Sequence, residues 1–233
     1  MKKIAILQSN YIPWKGYFDL INMVDEFILY DDMQYTRRDW RNRNKIQTKQ
    51  GLKWLSIPVD VKGKYFQKIN ETKVSDKDWA KKHWQQLKQN YLKSKYFKEY
   101  QNIFEELYLN CNEEYLSKIN YKFIITINKI LGIKTKIRYS SEFDLIDGQT
   151  EKLLGICKDC DASIYLSGPA AKDYFDDELA KKENIQVEWM DYSGYKDYKQ
   201  LYLPFEHGVS ILDLIFNEGP NSTKFMKSFK EQL

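Results

Sequence analysis

Residues 2–32 read KKIAILQSNYIPWKGYFDLINMVDEFILYDD, and this stretch decides the fold. Its first six residues, through Leu7, form a short apolar run that reads as one buried strand. A loop, QSNYIPWKG, follows. Phe18, Ile21 and Val24 then recur at helical spacing, which predicts a helix from about Tyr17 to Val24. Glu26 to Tyr30 is a second buried strand, ending at Asp31-Asp32. Strand, loop, helix and strand in that order make the first half of a parallel α/β sheet. Such sheets bind ligands beyond the carboxyl ends of their strands. The loop 8–16 and the segment 31–44 both leave those ends, so they are expected to meet across one crevice.

Working outward, residues 45–59 predict a hairpin turning at Lys49-Gln50-Gly51, and 66–74 a further strand. Helices are expected at about 76–92, 96–110 and 113–131, the last stopped by Gly132. This points to a helical subdomain at about 60–131 within a single domain spanning 1–233. Their aromatic positions are read as packing. The α/β pattern resumes with strands at 137–140, 162–166 and 185–190 and helices near 150–160 and 175–183. Residues 210–216 predict a last helix, with a short one after Pro220.

A chain of 233 residues with 42% hydrophobic and 15% aromatic content buries a substantial core. A net charge of +4 spread over many lysines and glutamates gives no strong case for nucleic acid as partner. The first apolar run is too short for a signal peptide, and no membrane-spanning stretch occurs. Cys111, Cys157 and Cys160 are an odd number of thiols, expected to be reduced in the cytoplasm.

Four of the five arginines fall at Arg37, Arg38, Arg41 and Arg43, interleaved with Trp40, Asn42 and Asn44. Elsewhere the basic residue is nearly always lysine. The planar guanidinium grips carboxylate or phosphate with two hydrogen bonds. The cluster is therefore a candidate anion clamp; a solvated charged loop is the alternative. Gln8 and Asn10, at the end of the first strand, are placed to touch a ligand. Gly16 would let one approach the start of the first helix, where the dipole favours an anion. A structural turn with Pro13 and Trp14 packed on the sheet is the other reading. Asp31 and Asp32 point to opposite faces, so one at most serves a ligand, and Asp32 is preferred as a base. Ser167 and Gly168 end a strand at the same rim and could hold phosphate or carboxylate, although Gly-Pro also makes ordinary turns.

Cys157 and Cys160 form a C-x-x-C at the end of a helix, without the second pair that zinc requires, and are read as structural. No metal site is assigned. His83 is read as a surface residue. His207, near Glu206 and Asp213, is a general-base candidate. No Walker loop, GxGxxG, HExxH or GxSxG occurs, which removes the commonest nucleotide, metalloprotease and serine-hydrolase readings.

The runs YIPWKGYF (11–18), YDDMQ (30–34), WRNRN (40–44), Trp54-Leu55 with Pro58, YLSGP (165–169) and SILD (210–213) together resemble the WbqC-like family, in order, over almost the whole chain. One position departs: Ser9 stands where many relatives carry proline. The resemblance implies a role in bacterial O-antigen and surface-polysaccharide biosynthesis, as a glycine (aminoacyl) transferase decorating a sugar. A fainter likeness is to the nucleotidyl-transferase fold, including pantothenate-synthetase-type ligases. Their His-x-Gly-His would fall at Trp14-Lys15-Gly16-Tyr17, where the glycine matches and both histidines are missing.

The expected fold class is therefore α/β, a Rossmann-like (nucleotidyl-transferase-like) parallel sheet with a mostly helical insert. The expected function is amide formation between glycine and a nucleotide-activated amino sugar. Arg38, Arg41 and Arg43 would clamp the anion, with Gly16 at the helix start. Asp32 would accept the amine proton, with His207 a second catalytic candidate. Gln8, Asn10, Tyr11, Trp14, Tyr17, Gln34, Asn42, Asn44, Ser167 and Gly168 would orient substrate. ATP and Mg²⁺ are implied if glycine is activated here. Alternatives are a non-catalytic nucleotide-sugar-binding protein and an RNA-binding module stacking bases on Tyr35 and Trp40.

Overall fold

The structure is a computed structural model and describes residues 1–229. Five strands, β1 (Lys3–Leu7), β2 (Glu26–Leu29), β5 (Lys136–Tyr139), β6 (Ile164–Ser167) and β7 (Gln186–Trp189), form one sheet of order β5-β2-β1-β6-β7. Every pairing in it is parallel. A separate antiparallel hairpin joins β3 (Arg43–Thr48) and β4 (Gly51–Ser56). Helices α2 (Trp79–Tyr91), α3 (Phe97–Leu109) and α4 (Leu116–Leu131) lie between the hairpin and β5, and α4 ends on left-handed Gly132.

The period-2 alternation of the central strands builds a core on each face of the sheet. Ala5, Phe27 and Leu29 join the larger core, with α1 (Lys15–Asn22), α7 (Ile211–Glu218) and the three helices. Ile4, Ile6 and Ile28 point to the opposite face, against α5 (Thr150–Asp159) and α6 (Asp177–Lys182). Fully burying a side chain such as Phe27 stabilises the fold by about 2 kcal/mol. Among the described residues, no helix is long and apolar enough to cross a membrane.

The expected strand at 66–74 does not form. Lys68, Lys73 and Val74 each make an isolated bridge, to Gln34, Tyr115 and Val59, around a 3₁₀ turn at Ile69–Glu71. A segment that changes partner three times cannot keep one ladder. His83, expected at the surface, is buried. Its Nε2–H donates to the Ser56 carbonyl at 3.2 Å, which leaves Nδ1 to accept from the Tyr11 hydroxyl at 2.9 Å. Cys157 and Cys160 are buried thiols; burial pushes Cys157 up to about 12, as suits an inert core residue.

Candidate functional site

β1 is followed in sequence by β2 on one side but pairs with β6 on the other. The strand order reverses between β1 and β6, and at such a switch point the loops leaving the strands diverge and open a crevice. A cleft of about 440 Å³ lies there. Gln8 from the end of β1, Ser167 and Gly168 from the end of β6, and Gln149 and Lys152 from the start of α5 line it. Gly168 has ordinary backbone geometry, and a Cβ there would come no nearer than 4.0 Å to the Tyr192 hydroxyl. Gln8 is half-buried, and its backbone carbonyl accepts the Tyr17 hydroxyl at 3.1 Å. Gln149 and Lys152 were missed in sequence. A helix running antiparallel to the strands must begin at their carboxyl rim, and that topological signal could have found them.

The first loop and the segment 31–44 do meet, but as a packed junction. The Tyr11 N–H donates to the Trp40 carbonyl, and Asn44 Nδ2 donates to the Tyr11 and Ile12 carbonyls at 3.2 and 3.0 Å. Ile12 sits at φ 37°, a position a β-branched residue adopts only under strain, and Asn44 holds it there. Beside this junction a cleft of about 320 Å³ is walled by Trp14, Trp40 and Pro13, with Asn10, Asn44 and His207 as its polar groups. His207 Nε2 lies 2.9 Å from the Asp197 carboxylate.

The arginines do not converge on either cleft. Arg37 donates to the Val61 carbonyl at 3.3 Å. Arg41 is largely buried, donates to Asn10 Oδ1, and lies 3.5 Å from Asp39. Arg43 lays its guanidinium 4.0 Å from the Trp54 ring and donates to the Arg38 carbonyl. Arg38 itself is exposed, with a left-handed backbone at φ 60°. The expected clamp of Arg38, Arg41 and Arg43 is therefore not assembled, because the Arg41 and Arg43 guanidiniums find acceptors or a ring of their own while Arg38 stays exposed.

Other expected contacts prove to be internal. Tyr11 is fully buried, its hydroxyl 2.8 Å from that of Tyr108 as well as bonded to His83. Tyr17 is buried too. Gly16 makes room for a neighbour: a Cβ would come within 2.3 Å of the Trp14 ring. The start of α1 is closed to an anion, since Lys15 is buried there and donates to the Lys196 carbonyl at 3.1 Å. Burial pushes Lys15 down to about 8. Asn42 is buried and donates to the Ile57 carbonyl. Gln34 donates to the Tyr65 carbonyl, beside a separate cleft near Arg37.

The two aspartates divide as strand alternation requires. Asp31 is buried and accepts the Ser9 N–H at 2.8 Å and the Ser117 hydroxyl. Burial pushes it above the usual carboxylate range although these donors oppose the shift. Ser9 thereby explains its own presence: a proline would have no N–H for Asp31. Asp32 turns outward into a third cleft of about 630 Å³, accepting from Ser140 at 2.5 Å and Asn70 at 3.1 Å.

The sequence matches the model of the WbqC-like protein family over residues 8–225, which takes in both the switch point and the packed junction. The chain belongs to the WbqC-like family. It is also 50% identical over 227 residues to the uncharacterized protein Rv1507c of Mycobacterium tuberculosis (strain ATCC 25618 / H37Rv), covering 97% of this chain and 98% of that one. No solved structure matches it. The motifs that define the WbqC-like resemblance thus fall into two groups. YLSGP serves the switch-point cleft, whereas YIPWKGYF and WRNRN mainly build the junction that holds the first loop.

Proposed function

We propose that this WbqC-like protein binds a nucleotide-linked amino sugar in the cleft between β1 and β6 and transfers glycine, or a similar small acyl group, to its amine. The step belongs to bacterial surface-polysaccharide (O-antigen) biosynthesis in the cytoplasm. The observation that carries the reading is the switch-point cleft, where the ends of two adjacent parallel strands present Gln8, Ser167 and Gly168 together. The strand order supports a Rossmann-like, nucleotidyl-transferase-like sheet. Gln8 and Ser167 would orient the sugar nucleotide, and Lys152 would offset phosphate charge. In amide formation the amine nitrogen attacks the activated acyl carbon, the leaving group departs with its electron pair, and the amine proton passes to a base. Among the residues lining this cleft none is a carboxylate, and Asp32, the expected base, turns into a different cleft, so the amine proton is proposed to pass to solvent. If glycine is activated on this protein, ATP would enter as co-substrate in the same cleft. Mg²⁺ finds no fitting donor set at Asp32, where Asp32 and Glu71 stand among Lys68, Lys73 and Lys118, so no step is routed through it.

One observation favours a second reading, that of a non-catalytic nucleotide-sugar binder. Both Asp32 oxygens already accept hydrogen bonds, from Asn70 and Ser140. Turnover separates the two readings. The protein is incubated with glycine, ATP, Mg²⁺ and a panel of nucleotide amino sugars, and products are followed by mass. The transferase reading expects a glycyl adduct, and a fall of about tenfold or more in kcat/KM for Ser167→Ala. Thermal stabilisation by a nucleotide sugar without any adduct supports the binder instead. Neither adduct nor stabilisation across the panel defeats both.

A further inference from the structure

The third cleft holds the convergence of cations that the arginine segment lacks. Lys68, Lys73 and Lys118 reach it from three places: the two sides of the turn at residues 69–71, and the first turn of α4. Tyr115 and Tyr139 form its aromatic walls. Lys118 Nζ sits 4.1 Å from the centre of the Tyr139 ring, and Lys73 Nζ 4.9 Å from that of Tyr115. The Tyr139 face attracts the Lys118 ammonium without accepting a conventional hydrogen bond from it, so the Lys118 donors stay available, whereas Lys73 also interacts with the Tyr115 hydroxyl and with Glu114.

The acidic groups at this cleft are largely engaged. Glu71 accepts the backbone N–H of Lys68 at 2.9 Å, closing its own turn. Asp32 is held by Ser140 and Asn70. Lys68 forms an ion pair with Asp32 at 3.6 Å and Lys73 one with Glu114 at 3.7 Å, each a single contact at the end of an exposed stem. Among the described residues no carboxylate pairs with Lys118. Three exposed ammoniums with donors to spare, around a cleft of about 630 Å³ with flat aromatic walls, match an anion carrying several oxygens and an organic body.

We propose that this cleft is a binding site for a phosphorylated small molecule, held through its phosphate or diphosphate by Lys68, Lys73 and Lys118 and flanked by Tyr115 and Tyr139. The site is distinct from the switch-point cleft and needs no acyl transfer, so it stands or falls apart from the transferase reading.

The probe is inorganic pyrophosphate, titrated calorimetrically into the full-length protein. Binding is expected at low salt and should weaken steeply as salt rises. The double variant Lys73→Gln/Lys118→Gln should weaken it by about tenfold or more, whereas Lys98→Gln, at an exposed lysine of α3 outside both clefts, should leave it unchanged. A second measurement needs no variant: acetylation of wild-type lysines, read by mass spectrometry, should slow at Lys68, Lys73 and Lys118 with pyrophosphate present and stay constant at Lys88 and Lys98. No binding up to about 10 mM, equal binding by a folded double variant, or protection confined to other lysines would each overturn the proposal.

Discussion

The arginine segment and the lysine-lined cleft hold similar charge and use it in opposite ways. Arg37, Arg41 and Arg43 lie close together in sequence, yet each turns to its own carbonyl, amide or indole. Lys68, Lys73 and Lys118 are spread over 51 positions of the chain, yet they face one cleft. The difference follows from shape. A rigid fork with five donors readily satisfies itself on nearby carbonyls and stacks on a ring, so it suits a junction that must be stiff. A flexible ammonium at the end of an exposed stem stays free to meet a ligand. Clustering along a chain thus says less about an anion site than which donors remain unengaged after folding.

That contrast can be broken in several places. The largest expected effect lies in the core beneath the junction. Burial pushes His83 down to about 4 from an ordinary 6.5, so its ring is neutral in the fold. The stability this provides is fully present above pH 6.5 and lost as pH falls toward 4, by about 3 kcal/mol. His83→Gln should flatten that part of the stability profile measured by urea unfolding; identical profiles would mean the ring is not so buried. Arg41→Met comes next. It leaves Asn10 and Asp39 without their cation and should cost about 2 kcal/mol, while Lys118→Gln should stay within about 0.5 kcal/mol. Equal losses would erase the distinction between the two regions. Arg43→Lys keeps the charge but loses the planar stack on Trp54, for about 1 kcal/mol. The smallest effect is a gain. Arg38→Gly relieves a left-handed backbone and should stabilise by about 0.5 kcal/mol, whereas a loss would show that the Arg38 side chain holds something the fold needs.

Much of the fold was legible because its signals are local. The short apolar runs of β1 and β2, the helical patterning of α2 to α4 and the Gly132 stop all act within a few residues. The segment 66–74 misled because it bridges three separate partners in turn, which no local pattern reveals. His83 carried a usable signal: with Trp79 and Leu87 it falls at four-residue spacing on the buried stripe of α2. That a cleft opens at the carboxyl rim of the sheet was also readable, since it follows from connectivity. The split of that rim into separate clefts was not. It depends on where Asn44, Arg41 and Asp31 find partners far along the chain, at Tyr11, Asn10 and Ser117, and no local pattern encodes such pairings.

Hydrogen–deuterium exchange with and without a nucleotide amino sugar tests most directly whether the switch point, and not the arginine segment, receives the ligand. Protection should appear at residues 8–10 and 167–174, with 36–43 unchanged. Protection confined to 36–43, with none at the ends of β1 and β6, would contradict it.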